Sequence, residues 1–260
     1  MASKEHTPLT VYRGSHKTGV LVWSPFVNKL EARLRFDGIP YKVGAGSPAS
    51  APRGKIPYME LGVSGEKLGD SALIINRLVG DGLATDLNAG IPAVRRAHDV
   101  AVRALLEDKL YFYSTRERWC DNYATMVAGV LAAVPWPLRW LVGLIASRAV
   151  ARTLHGQGTG RLADDEVAAL RAEAWESVAA LLSDARSTSV GDDVDGDDPF
   201  WVLGGDEPTE ADASLFGFVA SALVCDAAPA TAKIVRAHPV LVEYADRIHQ
   251  RYFPDYDKWE

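Results

Sequence analysis

A chain of 260 residues, 48% hydrophobic and 24% charged, can bury a core as one large domain or as two that share an interface. Its formal charge of −6 excludes the basic footprint of a nucleic-acid binder. Cys120 and Cys225 are its two cysteines; no spacing suggests a zinc site or a disulfide framework, so both read as reduced thiols in a cytoplasmic protein. The N-terminus, MASKEHTPLTVYR, lacks the hydrophobic region of a signal peptide.

LTVYR (9–13) reads as a short strand, followed by a loop containing Gly14, Ser15, His16, Lys17 and Gly19. Ser24 and Pro25 open an amphipathic helix. Its apolar residues Phe26, Val27, Leu30 and Leu34 keep helical spacing, and Gly38 stops it. IPYKV (39–43) is a second strand and GSPASAPRG (46–54) a loop. KIPYMELG (55–62) alternates like a strand, Gly65 sits in a turn, and EKLG (66–69) reads as a return strand. DSALIINRLVGDG (70–82) begins with an N-cap residue and closes on glycines, marking a second helix. Strand, helix, strand, loop, strand, strand, helix is the thioredoxin-like order, which predicts an α/β domain over 1–83.

From 91 to 260 the patterns predict an all-helical domain. Residues 93–126 could form one long helix, with further helices over 164–185, 210–227 and 238–253. The apolar stretch 126–150 is broken by Pro135 and Pro137 and followed into by Arg139. Two buried helices around a Pro-Trp-Pro corner fit it better than a membrane span, which needs roughly 20 uninterrupted apolar residues. A surface-lying membrane contact stays open. The acidic run 189–200 misses calcium-loop spacing and reads as a solvated loop. HGQGTGR (155–161) follows a helix rather than a strand, so it is a connector and not a dinucleotide fingerprint.

Three pieces of the first domain could carry chemistry. Ser24 with Pro25 at the first helical position is an ordinary helix start, but Val27 stands where a capping box would need Glu or Gln. The hydroxyl could therefore donate to a thiolate held at the helix N-terminus, where the dipole favours an anion by roughly 0.3–2 kcal/mol. Lowering a thiol pKa from about 8.5 to about 6.5 needs roughly 2.7 kcal/mol, which the dipole and one hydroxyl bond can supply. This segment alone leaves cap and anion site equally open. Within the thioredoxin-like order, Pro57 after Ile56 is expected to be cis, offering the Ile56 backbone to an extended peptide. Asp70 and Ser71 would cap a helix whatever the function, and could also bind the ammonium and carboxylate of an amino-acid head group. A thiolate site, a peptide-pairing edge and a head-group clamp together describe glutathione.

With those motifs the sequence resembles the glutathione transferase superfamily. SPF followed by a helix ending in GIPYK is similar to the serine-type start of the plant tau class. RGKIPYMEL, LGDSALIINRL, LYFYSTRERWCDN, HGQGTGR, GDEPTEADASLFGFVA and RYFPDYD look closer to the failed axon connections and metaxin-like branch. The resemblance runs from about Leu9 to Asp257 and implies a thioredoxin-like domain joined to an all-α domain. It implies Ser24 as the catalytic residue and glutathione as co-substrate, held by Pro25, Phe26, Lys55, Ile56, Pro57, Asp70 and Ser71. An apolar electrophile would lie against the helix bearing Tyr113, Arg116, Trp119, Cys120 and Tyr123, although aromatics at that spacing also pack cores. No metal is implied. Omega-type relatives carry cysteine where Ser24 stands, so dithiol exchange is disfavoured here. Thr209 and Asp212 form a structural capping-box variant.

The expected function is glutathione transfer, or a glutathione-dependent lyase or isomerase reaction, on an apolar electrophile. The rival is a non-catalytic metaxin-like binding or scaffold protein using 126–150 as a partner or membrane surface. A homodimer suits either reading.

Overall fold

The computed structural model describes residues 9–189 and 198–260. Its first part is a four-stranded sheet in the order β2-β1-β3-β4, built from β1 (Leu9–Tyr12), β2 (Tyr41–Gly44), β3 (Tyr58–Leu61) and β4 (Glu66–Gly69). β1 runs parallel to β2 and antiparallel to β3, and β3 runs antiparallel to β4. Helices α1 (Pro25–Phe36) and α2 (Ser71–Gly80) cover it. Leu9 and Val11 of β1 and Met59 and Leu61 of β3 pack with Leu30 and Leu34 of α1 and Ile74, Ile75 and Leu78 of α2. The alternation read in the sequence becomes one buried sheet face. This is the thioredoxin-like arrangement.

The remainder is helical. α3 (Ala93–Ala104) runs through a π-helical turn (Leu105–Leu110) into α4 (Tyr111–Arg116) and a second π turn (Glu117–Asp121). The single long helix expected over 93–126 is therefore interrupted at Asn122, whose backbone and side-chain amides both donate to the Glu117 carbonyl. α5 (Tyr123–Val130), α6 (Leu138–Gln157), α7 (Asp164–Ser189), α8 (Glu210–Val224) and α10 (Pro239–Tyr252) follow, with an unforeseen α9 (Pro229–Ala237) between the last two. Most of the acidic loop at 189–200 lies outside the described residues. The 155–161 segment ends α6 and turns, as a connector should.

One expectation fails. The helices at 126–150 form around the Pro-Trp-Pro corner, but their outer side is not buried: Trp136 is 82% exposed and Trp140 63%. No described element packs over them. Among the described residues no single helix is long and apolar enough to cross a membrane.

The two parts meet where α1 crosses α8. A Cβ at Gly217 of α8 would lie 2.5 Å from the Pro25 carbonyl oxygen and 2.6 Å from the Lys29 amide nitrogen of α1. The helix backbones touch there, and only a residue without a side chain fits. Around that contact α8 presents Glu210, Ser214, Gly217 and Ser221, spaced four, three and four residues apart on one face. Glu210 pairs with Arg33 at 2.6 Å. Ser214 donates to Glu107 (2.6 Å), which also receives the buried Lys29 ammonium (2.6 Å). The Thr209–Asp212 box closes the start of α8, as expected, and Asp212 also accepts from the Val202 amide and the Tyr244 hydroxyl.

A Gly-to-Ala change inside a helix ordinarily stabilises by about 0.5–1 kcal/mol. Gly217→Ala is instead expected to destabilise by about 1–3 kcal/mol, because its methyl meets backbone that cannot yield. The urea midpoint of the variant reads the sign, and an increase would contradict the contact.

Candidate functional site

The register gathers the three sequence-identified pieces at one end of the sheet. Tyr12 at the end of β1 pairs with Tyr58 at the start of β3, and Tyr58 pairs with Gly69 at the end of β4. Pro57 and Asp70 therefore extend from the same edge. Because β2 is parallel to β1, α1 must begin at the end where β1 finishes, which brings Ser24 to that side.

Ser24 is the N-cap of α1, with φ −83° and ψ 116°, yet its side chain makes no capping bond. Pro25 has no amide hydrogen, so the orphan donors of the first turn are the Phe26 and Val27 amides, and no acidic residue occupies that turn. The residue is half-buried, and its hydroxyl makes no hydrogen bond to the described residues. An anion at this tip would meet two free amides, one free hydroxyl and the positive end of the dipole.

What aims Ser24 is a clamp on Val22 and Trp23, the two residues before it. The buried Asn28 side chain accepts from the Val22 amide (3.1 Å) and donates to the Val22 carbonyl (2.8 Å). Arg118 donates to the Trp23 carbonyl (2.8 Å) and to the Ser221 hydroxyl (3.0 Å), and Ser221 donates to the same carbonyl. The Trp23 indole lies against Gly129 of α5, where a side chain would collide with the ring. Arg118 is buried, makes no ion pair among the described residues, and leaves its Nε without a partner. A guanidinium held in this way behind the Trp23–Ser24 peptide adds positive potential to the helix tip. Sequence reasoning missed Asn28, Arg118 and Ser221. The bonds from Arg118 and Ser221 to Trp23 span 95 and 198 positions, so no local pattern reveals them.

At the second piece, the Ile56–Pro57 bond is cis. Pro57 is buried, and Ile56 lays its side chain over Gly14, which has φ 74° and no room for a Cβ. Lys55 is exposed beside them. At the third, Asp70 caps α2: its Oδ1 accepts from the Ala72 amide (3.0 Å) and the Leu73 amide (3.2 Å). Asp70 has φ 81°, a conformation that costs a non-glycine residue about 1–3 kcal/mol and recurs at ligand clamps. Its Oδ2 has no partner among the described residues. Ser71 is buried beside it.

The residues read as a substrate wall separate. Tyr113 is buried in the helical core, and burial raises its phenol pKa. Arg116 donates to the Thr159 carbonyl (3.1 Å) and the Leu162 carbonyl (2.7 Å) and pairs with Asp164, so the protein supplies the anion this guanidinium needs. Trp119 packs with Trp23 against Met126, Cys225, Ala227 and Ala228. Tyr123 is half-buried with its hydroxyl at Gly143 of α6. Cys120 is exposed, and burial of its thiol followed by the Asp121 carboxylate raises its pKa, which keeps it protonated at neutral pH. Phe26 meets Tyr111 edge to face at 5.0 Å and Phe218 at 5.9 Å. Pro25, Tyr111, Arg118, Phe218 and Ser221 enclose a void of about 10 Å³, room for a single water at most. A larger cavity of about 380 Å³ lies at the other end of α1, lined in part by Arg35, Tyr41, Asp255 and Tyr256. Arg35 there is already held by both Asp255 oxygens and so offers no free charge.

Two family models match: the glutathione S-transferase N-terminal domain over 25–125 and the glutathione S-transferase C-terminal domain over 196–248. The chain belongs to the glutathione transferase superfamily. Glutathione is the co-substrate of these enzymes. The chain is 29% identical over 255 residues to an isoprene-epoxide–glutathione S-transferase of Rhodococcus sp. (strain AD45), covering 94% of this chain and 99% of that one. Solved structures with the same fold include glutathione transferase GSTFuA2 of Phanerochaete chrysosporium (14% identity, TM-score 0.58, covering 94% of this chain and 98% of that one). A glutathione S-transferase of Methylobacterium radiotolerans, in complex with glutathione sulfonate, is similar at 17% identity and TM-score 0.54, with 98% of both chains covered. In this glutathione transferase fold, the clamp on Trp23 ties the start of α1 to the helical part.

Asn28→Ala strands a buried amide and a buried carbonyl of Val22, and unfolding free energy should fall by about 2–4 kcal/mol. The pair Arg118→Met with Ser221→Ala should speed hydrogen exchange of the Asn28 amide, which is bonded to the Ser24 carbonyl. Unchanged exchange would show that the helix start holds itself.

Proposed function

We propose that the protein conjugates glutathione to a small apolar electrophile, with Ser24 donating to the glutathione thiolate at the N-terminus of α1. The carrying observation is the Ser24 hydroxyl: it sits at the N-cap without capping, on a segment clamped by Asn28, Arg118 and Ser221. A serine whose only task was to cap would accept from the Phe26 or Val27 amide. Ile56 and Pro57, with Lys55 nearby, take the peptide backbone of the tripeptide. Asp70 Oδ2 takes its ammonium and Ser71 its carboxylate, while Pro25 and Phe26 floor the sulfur site.

Similarity to an isoprene-epoxide transferase makes a small apolar epoxide the first electrophile to offer. The thiolate sulfur attacks a ring carbon, a C–S bond forms as the C–O bond breaks, and the alkoxide takes a proton from water. Trp119 and Tyr123, beside Trp23 and α6, are the nearest candidates for the electrophile's apolar wall; Tyr113 and Arg116 support it from behind and Cys120 lies at its rim. On this reading 1–83 is the glutathione-binding domain and 91–260 the helical domain, in a cytoplasmic detoxifying homodimer with a tau-like serine start.

The exposed apolar corner at Trp136 and Trp140 favours a second reading, a metaxin-like binding protein without turnover. Retention on immobilised glutathione separates the two, since the binding-protein reading requires none. Ser24→Ala should lower kcat/KM for a generic electrophile by more than tenfold, the order expected when a developing anion loses one donor. An unchanged rate removes Ser24 from the mechanism.

A further inference from the structure

Among the described residues, six of the eleven exposed large hydrophobic side chains lie between Val130 and Ile145: Val130, Trp136, Leu138, Trp140, Leu141 and Ile145. Such concentration marks a surface that something covers. The same region differs from the rest of the chain in charge. Residues 122–163 hold no Asp or Glu, in a protein whose formal charge is −6. They carry Arg139, Arg148, Arg152 and Arg161, none of which pairs with a carboxylate among the described residues. Arg139 instead braces the corner by donating to the Ala132 and Val134 carbonyls.

On α6, Leu138, Leu141, Ile145, Arg148 and Arg152 follow at spacings of three, four, three and four, which places them on one face. The inner face carries the buried Gly143 and Leu154. The outer face therefore starts apolar and continues basic, and the exposed Trp136 and Trp140 stand beside its start, Trp136 at the corner and Trp140 about a quarter-turn from Leu141. Tryptophan settles at the level of lipid headgroups, and arginines beside an apolar wedge are drawn to anionic ones.

We infer that the 130–152 face docks the protein on an anionic lipid bilayer, with Trp136, Trp140, Leu141 and Ile145 entering the headgroup boundary and Arg148 and Arg152 meeting lipid phosphates. A second copy of the chain fits less well. The face carries Arg148 and Arg152 and no acid, so a self-complementary contact through it offers neither arginine a carboxylate. The inference does not depend on the glutathione reading, though docking would bring the start of α1 close to the bilayer, because Gly129 of α5 packs on Trp23.

The test is co-sedimentation of the full chain with phosphatidylcholine vesicles, with and without phosphatidylglycerol. Binding is expected to the anionic vesicles, to weaken with added salt, and to be weak or absent on neutral ones. Arg148→Gln with Arg152→Gln should weaken binding on the order of 25-fold, about fivefold for each arginine. Trp136→Ser with Trp140→Ser should abolish it while leaving the unfolding midpoint unchanged, as both side chains are exposed. Failure to sediment with anionic vesicles overturns the inference, as does equal binding to neutral ones. So does a tryptophan pair variant that binds vesicles normally but changes from dimer to monomer in light scattering.

Discussion

The backbone contact between α1 and α8 at Gly217 fixes how the helix that begins at Ser24 meets the helical part. It lets the two helices approach until their main chains meet, and the rest of the α8 face then has no freedom about what it touches. Glu210 reaches Arg33, Ser214 reaches Glu107 beside Lys29, and Ser221 reaches the Trp23 carbonyl. The last of these lies at the tip of α1. A packing constraint in the middle of an interface thus becomes a positional constraint on Ser24.

Charge makes this interface exacting. Lys29 and Arg33 are almost wholly buried, and burying a cation is costly unless a partner and further hydrogen bonds compensate. Arg33 is compensated by Glu210, Asp37 and the Thr85 carbonyl, and Lys29 by Glu107. Arg118 is treated differently: its bonds go to a carbonyl and a hydroxyl, so its charge is left to act on the surroundings. At the other end of α1, Arg35 is sandwiched between Phe253 and Tyr256 at 4.4 Å from each ring and bonded to Asp255, which fastens the C-terminal segment to the first domain. Both ends of α1 are therefore anchored by arginines, one neutralised and one not.

The α/β half was largely legible in the sequence because its signals are local. Alternation gave four strands within a few residues of their observed limits, and Asp70 and Gly38 marked helix ends. The cis bond at Pro57 followed from element order. Ser24 was legible as a helix start, but whether it capped was not, since that depends on where Trp23 is held. The clamp joins residues from α1, the π turn before α5, and α8, and no pattern within one segment encodes it. The small residues of α8 did carry a trace: Ser214, Gly217 and Ser221 interrupt an otherwise apolar helix at the spacing of a close-packed face. The apolar run at 126–150 misled for the opposite reason. Hydrophobicity there resembles that of a core segment, and only the exposure of side chains such as Trp136, Trp140 and Ile145 among the described residues shows that one side of it faces outward.

The central claim is that the α1 tip, with the Ser24 hydroxyl, holds a sulfur anion. Ultraviolet titration of protein-bound glutathione across pH tests it most directly, because the thiolate absorbs where the thiol does not. The account predicts a thiolate midpoint about two units below the roughly 8.5 of a free thiol. Glutathione that binds yet titrates at its free value would contradict it.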